Sequence, residues 1–534
     1  MRALILATCL VLAGRPVAGA EPPVAPATVS PTAEQWRADL EWLRVELPKR
    51  HPDPFAHWSQ ADYEAAFAAL QAQLPTLAEH ARVVGLARVV ATLRDGHTRL
   101  TLPHAAGSGF FTGHTATDVA RVGAFGHLPL RLLAAADGWL VAAVAPEHAS
   151  LLGARVHSID DRPIDEAAAA VAPVVHRDND QQLRNQLADF LVVPEVLHAS
   201  GVTRSIERAT LDLELGDGSR RAIELARTTN PREDWRTLPA DPRVERPAAE
   251  SGGLWFRELA EPAAVYARIA EIADDPDETF AEFANRLGAY LAGAPARRLI
   301  IDLRGNPGGD NTLNPQLLRA LLRTPWLEEP GALFVLTDGG TFSAAMNLAE
   351  QLEHWLPAIF VGGGTGGRPN HYGDARKLAL PATGLTVRVS SLYWQNHPND
   401  ARDAIMPLLV AVPTIAQLRS GLDPALEALR VLQRAPADPA ARAGQWRGML
   451  SVPHRHAELQ FELAADGLAG MLGIPAFGIE RAPFRLARTG PDTWAGAVPL
   501  REYTATLALR FGDRQATGWI NYRGNRFPLV SAVR

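Results

Sequence analysis

Lysine is nearly absent from this chain. Lys49 and Lys377 are the only lysines among 53 basic residues, so a mechanism built on a lysine base has two candidates. Cysteine is scarcer still, with Cys9 alone, which excludes an internal disulfide and a cysteine-ligated zinc site. No apolar run reaches the roughly 18 residues that a membrane-spanning helix requires. A basic excess is also missing: 53 basic residues face 59 acidic ones, for a net charge of −6. Without a basic stripe, nucleic-acid binding finds no support.

What is present is globular in character. Hydrophobic residues make up 47% and charged residues 21% of the 534 positions, which excludes global disorder and calls for several domains. The N-terminus reads as a removable leader. Arg2 gives a positive start, Ala3 to Gly14 is apolar, and Ala18-Gly19-Ala20 supplies a small-x-small cleavage pattern before Glu21. A secretory signal peptide over 1–20 is therefore expected, with the mature protein periplasmic or secreted and without Cys9.

Hydrophobic spacing divides the rest. Trp36, Leu40, Leu43 and Leu47, then Tyr63, Phe67 and Leu70, recur at three and four residues and predict a helical domain over 21–112. Shorter periods and the Gly216-Asp217-Gly218 turn predict a β-rich module over 113–230. Over 231–432, helical patterns alternate with apolar strands such as Leu299-Ile300-Ile301, the mark of an α/β core with a largely parallel sheet. Over 433–534, Ala457, Leu459, Phe461 and Leu463 alternate with polar residues and predict a small antiparallel β domain, a barrel or a sandwich.

Four features could carry chemistry. Ser343 follows a predicted strand and the turn Asp338-Gly339-Gly340-Thr341-Phe342, and opens an Ala-rich helix. Unpaired N–H groups at a helix start favour negative charge and could hold an oxyanion, although serine is also an ordinary N-cap. The Gly-x-Ser-x-Gly elbow is absent. Asp302 to Gly309, with Gly305, Gly308 and Gly309, lies at the carboxyl end of a predicted strand, where binding crevices form in α/β sheets. His97 stands in the Asp95-Gly96-His97-Thr98 turn, free to act as a base. The glycine-rich Gly362 to Gly367 lacks the Lys-Ser/Thr of a phosphate loop and continues as Arg368-Pro369-Asn370. His454-x-His456 has no third ligand in view, and no metal or cofactor is expected.

In this order the motifs resemble those of the tail-specific, or C-terminal-processing, serine peptidase family, whose relatives include the tricorn protease core and the repeats of interphotoreceptor retinoid-binding protein. The resemblance spans about residues 35–425. It rests on Ile301 to Gly309, Thr341-Phe342-Ser343-Ala344-Ala345 and Gly364-Thr365-Gly366-Gly367-Arg368. It implies a multi-domain α/β protein with a ClpP/crotonase-like core and a PDZ-like module at 113–230, while the C-terminal β domain lies outside it.

The resemblance also implies roles. Ser343 matches the nucleophile, Gly308 or Gly309 with Ala344 the oxyanion donors, and Gly366, Gly367 and Arg368 a substrate-binding loop, with Arg368 either binding a substrate carboxylate or only bracing the loop. Many members use a lysine near this last motif; here Arg368 stands there, and arginine stays protonated and cannot be the base. The tricorn-like branch uses a histidine, which His97 matches. By triad logic an acid then orients the imidazole, with Asp400 the first choice and Asp403 the alternative. The expected partner is a peptide or unfolded protein. The competing readings are a non-catalytic binder of peptides or apolar ligands, and a hydrolase of non-peptide esters or amides.

Overall fold

The computed structural model describes residues 30–104 and 122–534, apart from 233, 329–331, 357, 397–399, 408, 433–441, 453–454, 489–492, 501–502, 513–514 and 523–524. The expected signal peptide, Cys9 and His454 lie outside the described residues.

Helix α1 (Ala33–Arg50) starts at a capping box in which Thr32 and Gln35 satisfy each other's backbone N–H groups. It buries Trp36, Leu40, Leu43 and Leu47, the apolar stripe of its sequence. Helix α2 (Gln60–Gln73) buries Tyr63, Phe67 and Leu70, and α3 (Glu79–Ala91) is the most enclosed of the three. Beyond α3, Arg94 takes φ 51° and turns the chain into Asp95–Thr98. The short strand β1 (Arg99–Leu100) then pairs antiparallel with Thr386–Val389. The histidine turn is thereby pinned at both ends, to a helix before it and a sheet after it.

The β-rich region is an antiparallel sheet whose path runs through Leu130–Ala135, Gly138–Val144, Arg155–Ile159, Arg208–Glu214 and Arg220–Ala226. Helix α4 (Asp180–Phe190) is inserted between the third and fourth of these. One hydrophobic cluster runs without a break through α1–α3, this sheet and the segment Leu378–Val389.

The α/β region is a six-stranded sheet. Strands β2 (Leu254–Leu259) and β3 (Ala264–Ile269) form an antiparallel hairpin. From β3 the sheet grows in one direction through β4 (Leu299–Asp302), β5 (Leu333–Thr337) and β6 (Ile359–Gly362), all parallel. The crossovers are α5 (Phe280–Gly293), α6 (Asn314–Leu322) and α7 (Ala344–Trp355). All three cover the same face, burying Phe283, Leu287, Leu317 and Leu348 against Leu299, Ile301 and Val335. The alternate residues Ile300, Phe334 and Val361 point to the other face, where Leu426 and Leu429 of a helix at Pro424–Leu432 cover them. Growth in one direction through crossovers of one hand puts every crossover helix on one side. Beyond β6 come β7 (Asn370–Gly373), β8 (Arg376–Ala379), β9 (Thr386–Val389) and β10 (Leu392–Gln395), pairing as β7 with β10 and β8 with β9.

The last hundred residues form a nine-stranded antiparallel meander whose strand Gly444–Val452 pairs with Asn525–Val533. A Cβ on Gly496 would stand 2.1 Å from the Arg485 carbonyl oxygen, so the two ends of the path meet and the sheet curls on itself. Trp446, Phe461, Phe484 and Phe511 fill its interior. Of the two expectations, the barrel is the better description. Among the described residues, no helix is long and apolar enough to cross a membrane.

Candidate active site

Ser343 sits between β5 and α7 at φ 51°, ψ −125°. An L-residue reaches such a backbone only when its surroundings force it, at a cost of about 1–3 kcal/mol. Here the forcing is visible. Phe342 N–H donates to Asn306 O (3.0 Å), and Thr341 Oγ1 donates to Leu303 O (2.9 Å). On the other side, Gly366 and Gly367 N–H both donate to Thr341 O (3.0 and 3.2 Å). The turn carrying Ser343 is stitched to both glycine-rich loops. As a result the Ser343 side chain makes no N-cap bond to its own helix, unlike an ordinary capping serine.

The hydroxyl instead meets a histidine 246 positions away: Ser343 Oγ lies 2.9 Å from His97 Nε2. The hydroxyl donates, so a neutral His97 carries its proton on Nδ1. Two rings stack on the imidazole, Phe342 at 4.3 Å and His371 of β7 at 5.7 Å. His97 is only 8% exposed. Burial drives its pKa down to about 3 against the opposing pull of Asp95, so the ring is neutral near pH 7.

Two backbone N–H groups beside Ser343 have no partner among the described residues, those of Gly309 and Ala344. The Gly308 N–H is taken by Asn306 Oδ1 at 2.9 Å. This corrects the expectation for Gly308, whose contribution is steric. Its φ is 110°, and a Cβ there would fall 2.5 Å from Ser343 Cβ.

The other expected site residues have partners of their own. Asp400 does not contact the histidine. It is buried and ion-paired with Arg402 (2.8 Å), which also binds Glu353 (2.6 Å), while His97 Nδ1 has no hydrogen-bond partner among the described residues. The alternative, Asp403, accepts from Arg368 Nε at 3.1 Å. Gly366 and Gly367 use their N–H groups on Thr341, so they brace the serine turn and do not face a ligand with them. Arg368 is a bracket: beyond Asp403 it reaches His57 Nε2 (2.7 Å) and Arg94 O (3.4 Å), tying the helical region to the loop after β6. Lysine stays away, with Lys49 paired to Glu46 on α1 and Lys377 exposed on β8.

Residues that sequence reasoning passed over surround the base. His371 is one. Asp95 is another: its Oδ1 accepts the His97 N–H (2.9 Å), and its Oδ2 accepts from His51 Nε2 (3.0 Å) and Thr98 Oγ1 (2.5 Å). Burial alone would raise the Asp95 carboxyl. The His51 hydrogen bond and the neighbouring His97 outweigh it and hold the group well below the usual carboxylate range. Asp178 accepts the Gly96 N–H (2.7 Å), and burial together with the nearby Asp95 charge pushes its carboxyl up to about 7. Among the described residues no cluster of three or more His, Cys, Asp or Glu side chains could hold a metal.

Solved structures give the same architecture. Mature CPAF complexed with lactacystin superposes with a TM-score of 0.54 at 15% identity, over 74% of this chain and 98% of that one. A CPAF mutant gives 0.55 at 14% identity, over 75% and 97%. The chain has the fold of CPAF. It is a mixed helix-and-sheet, multi-domain architecture, and the CPAF match takes in nearly all of CPAF while leaving about a quarter of this chain unaligned. A looser likeness, with a TM-score of 0.35 at 13% identity, covers 73% of this chain and 99% of the photosystem II D1 C-terminal processing protease. No family model and no curated protein matches the sequence.

Proposed function

We propose that this chain is an exported serine peptidase of the tail-specific kind, cutting peptide or unfolded-protein substrates through an acyl-enzyme. The observation that carries the reading is the 2.9 Å contact between Ser343 Oγ and His97 Nε2 at a strained helix start. The likeness to CPAF supports the fold that such chemistry would use. On this reading the 113–230 module is PDZ-like and captures chain ends by strand addition, and the 231–432 core is ClpP/crotonase-like.

In the proposed reaction His97 Nε2 takes the hydroxyl proton as Oγ attacks the scissile carbonyl carbon. The carbonyl oxygen becomes an oxyanion held by the Gly309 and Ala344 N–H groups. His97 returns the proton to the departing amine, and water then repeats the sequence to release the acid and free Ser343. Burial keeps His97 neutral at rest, so its Nε2 lone pair is available to take the hydroxyl proton and the imidazolium is formed only in transit.

The test is cleavage of a diverse peptide mixture, read by mass spectrometry. Wild type should cut, Ser343→Ala and His97→Ala should lose at least 10³-fold in rate, and the cut sites should give the specificity. Cleavage undiminished in Ser343→Ala would overturn the proposal. Absence of cleavage by wild type, with a ligand recovered on extraction, would favour the binding protein.

A further inference from the structure

The proposed base has a buried Nδ1 with no acceptor on it among the described residues. A Ser–His pair working as above makes an imidazolium in mid-reaction, and a buried cation without a counter-charge is costly. The carboxylate nearest in the chain is Asp95, two residues before His97. Its side chain is 1% exposed, and its partner His51 is 2% exposed.

The tautomer of His51 can be read from its contacts. Its Nδ1 accepts the Asp53 N–H at 3.1 Å, so Nε2 bears the proton and donates to Asp95 Oδ2 at 3.0 Å. His51, Thr98 Oγ1 and the His97 N–H together give Asp95 three donors, and a carboxylate so surrounded stays ionised. The His51 ring also packs on Tyr372 at 4.7 Å, and Tyr372 adjoins His371, the residue stacked on His97. Charge and ring orientation therefore converge on the base from one connected group.

We infer that Asp95, fixed by His51, is the counter-charge for protonated His97, acting across the turn and not through Nδ1. Asp95 is a positioning residue in this sense, and it fills the place first assigned to Asp400. The inference rests on the reading of His97 as the base. It also makes the helical region part of the site, because His51 comes from the end of α1 and His97 from the end of α3.

The other ionisable groups facing the pair are His176 and Asp178 beside Asp95, and His371, Arg99 and Arg388 beside His97. Arg99, Arg388 and His371 disfavour a protonated His97 and Asp95 opposes them, so removing Asp95 leaves the imidazolium with repulsive neighbours.

A turn-forming role must be separated from a charge role. Asp95→Asn keeps the turn, because asparagine accepts the i+2 N–H equally well, but it sets an amide against His51 Nε2–H. The double variant Asp95→Asn/His51→Gln restores a donor–acceptor match without restoring charge. We expect Asp95→Asn to lower kcat by about 10²-fold with KM within threefold, and the rate of fluorophosphonate labelling of Ser343 to fall in proportion. The acid limb of kcat/KM should move to lower pH. The double variant should recover the melting temperature and leave kcat low. Recovery of kcat in the double variant, or an Asp95→Asn rate within threefold of wild type, would overturn the inference.

If the asparagine variants fail to fold, Asp95→Ser keeps a turn acceptor and leaves space. Added formate should then raise its rate where formamide does not; rescue by both or by neither counts against the charge role. Failure here is distinct from failure of the peptidase reading. Wild type that neither cleaves nor is labelled at Ser343 sinks both, whereas normal labelling of wild type and of Asp95→Asn sinks this inference alone.

Discussion

Gly308→Ala puts the site's geometry under direct stress. The glycine has φ 110°, a backbone that costs a side-chain-bearing residue about 1–3 kcal/mol. The new methyl would lie 2.5 Å from Ser343 Cβ, 2.9 Å from Ala344 N and 3.1 Å from Phe342 O, where carbon contacts are comfortable only at about 3.5–4.0 Å. Relief needs about 1 Å of movement between the loop and Ser343. A misplacement of that size at a reacting group costs about 10²-fold in rate. Gly305, in the same loop, supplies the control. It has φ 64°, and a Cβ there meets nothing within 4 Å, so Gly305→Ala carries backbone strain without the clash. The assay is kcat on a peptide found in the mixture screen, with melting temperatures in parallel. Both variants should lose stability, and only Gly308→Ala should lose kcat, by about 10²-fold. Equal kcat in the two variants would refute the placement of Gly308 against the nucleophile.

Three further outcomes are expected. Because burial favours neutral His97 and holds its pKa at about 3, kcat/KM should stay flat from pH 8 down to about 5; a limb near 6.5 would mean a solvated base. The unfolded histidine binds a proton near 6.5 and the folded one does not until about 3, so its contribution to stability is present above 6.5 and lost as pH falls through that window. Asp178 runs the other way: its folded pKa is raised to about 7, so its contribution is present below the unfolded value and lost as pH rises through 7. Asp178→Asn should therefore raise the melting temperature at pH 8 by more than at pH 5, and an equal gain at both would refute the assignment of that burial cost. Lys49→Ala and Lys377→Ala should each leave kcat within twofold; a large loss at Lys377 would restore the lysine dyad.

The strand, glycine turn, serine and helix were legible in the sequence because each is written in consecutive residues. The same holds for the helical stripes and the alternation of β and α in the core. The pairing of Ser343 with His97 came from motif resemblance, since nothing local joins positions 246 apart. Asp400 was misassigned, yet its partner was also local. Asp400-Ala401-Arg402 closes on itself, with the Arg402 N–H and guanidinium both on the Asp400 carboxylate. Asp302 with Arg304, and Asp241 with Arg243, make the same closure. In these three places the Asp-x-Arg spacing leaves the acid already neutralised. Asp95 carried the opposite signal, an acid two residues before the histidine with no arginine following it. His51 and His371 left no trace, because their relation to His97 exists only once α1, β7 and the histidine turn are packed together.

The division of labour across the site explains why this chain manages with so little lysine. Ser343 opens α7, which is packed in the cluster of the α/β sheet, whereas α3, which leads to His97, is packed in the cluster shared by the helices and the β-rich sheet. A lysine base must be held deprotonated, which takes desolvation strong enough to shift it by several pK units. An imidazole needs no such shift to be neutral at the working pH, and the rings of Phe342 and His371 pack against it. What the enclosure then lacks is a means of tolerating the proton once it arrives. Asp95 and His51 stand on the side of the turn that belongs to the helices, so the same packing that delivers the base also delivers the charge. Arg368, where a lysine would be expected, ties His57 and the Arg94 carbonyl to Asp403 and so fixes the distance between the two halves. An arginine there serves assembly of the site, and on the proposed reading His97 takes the place of a lysine as base.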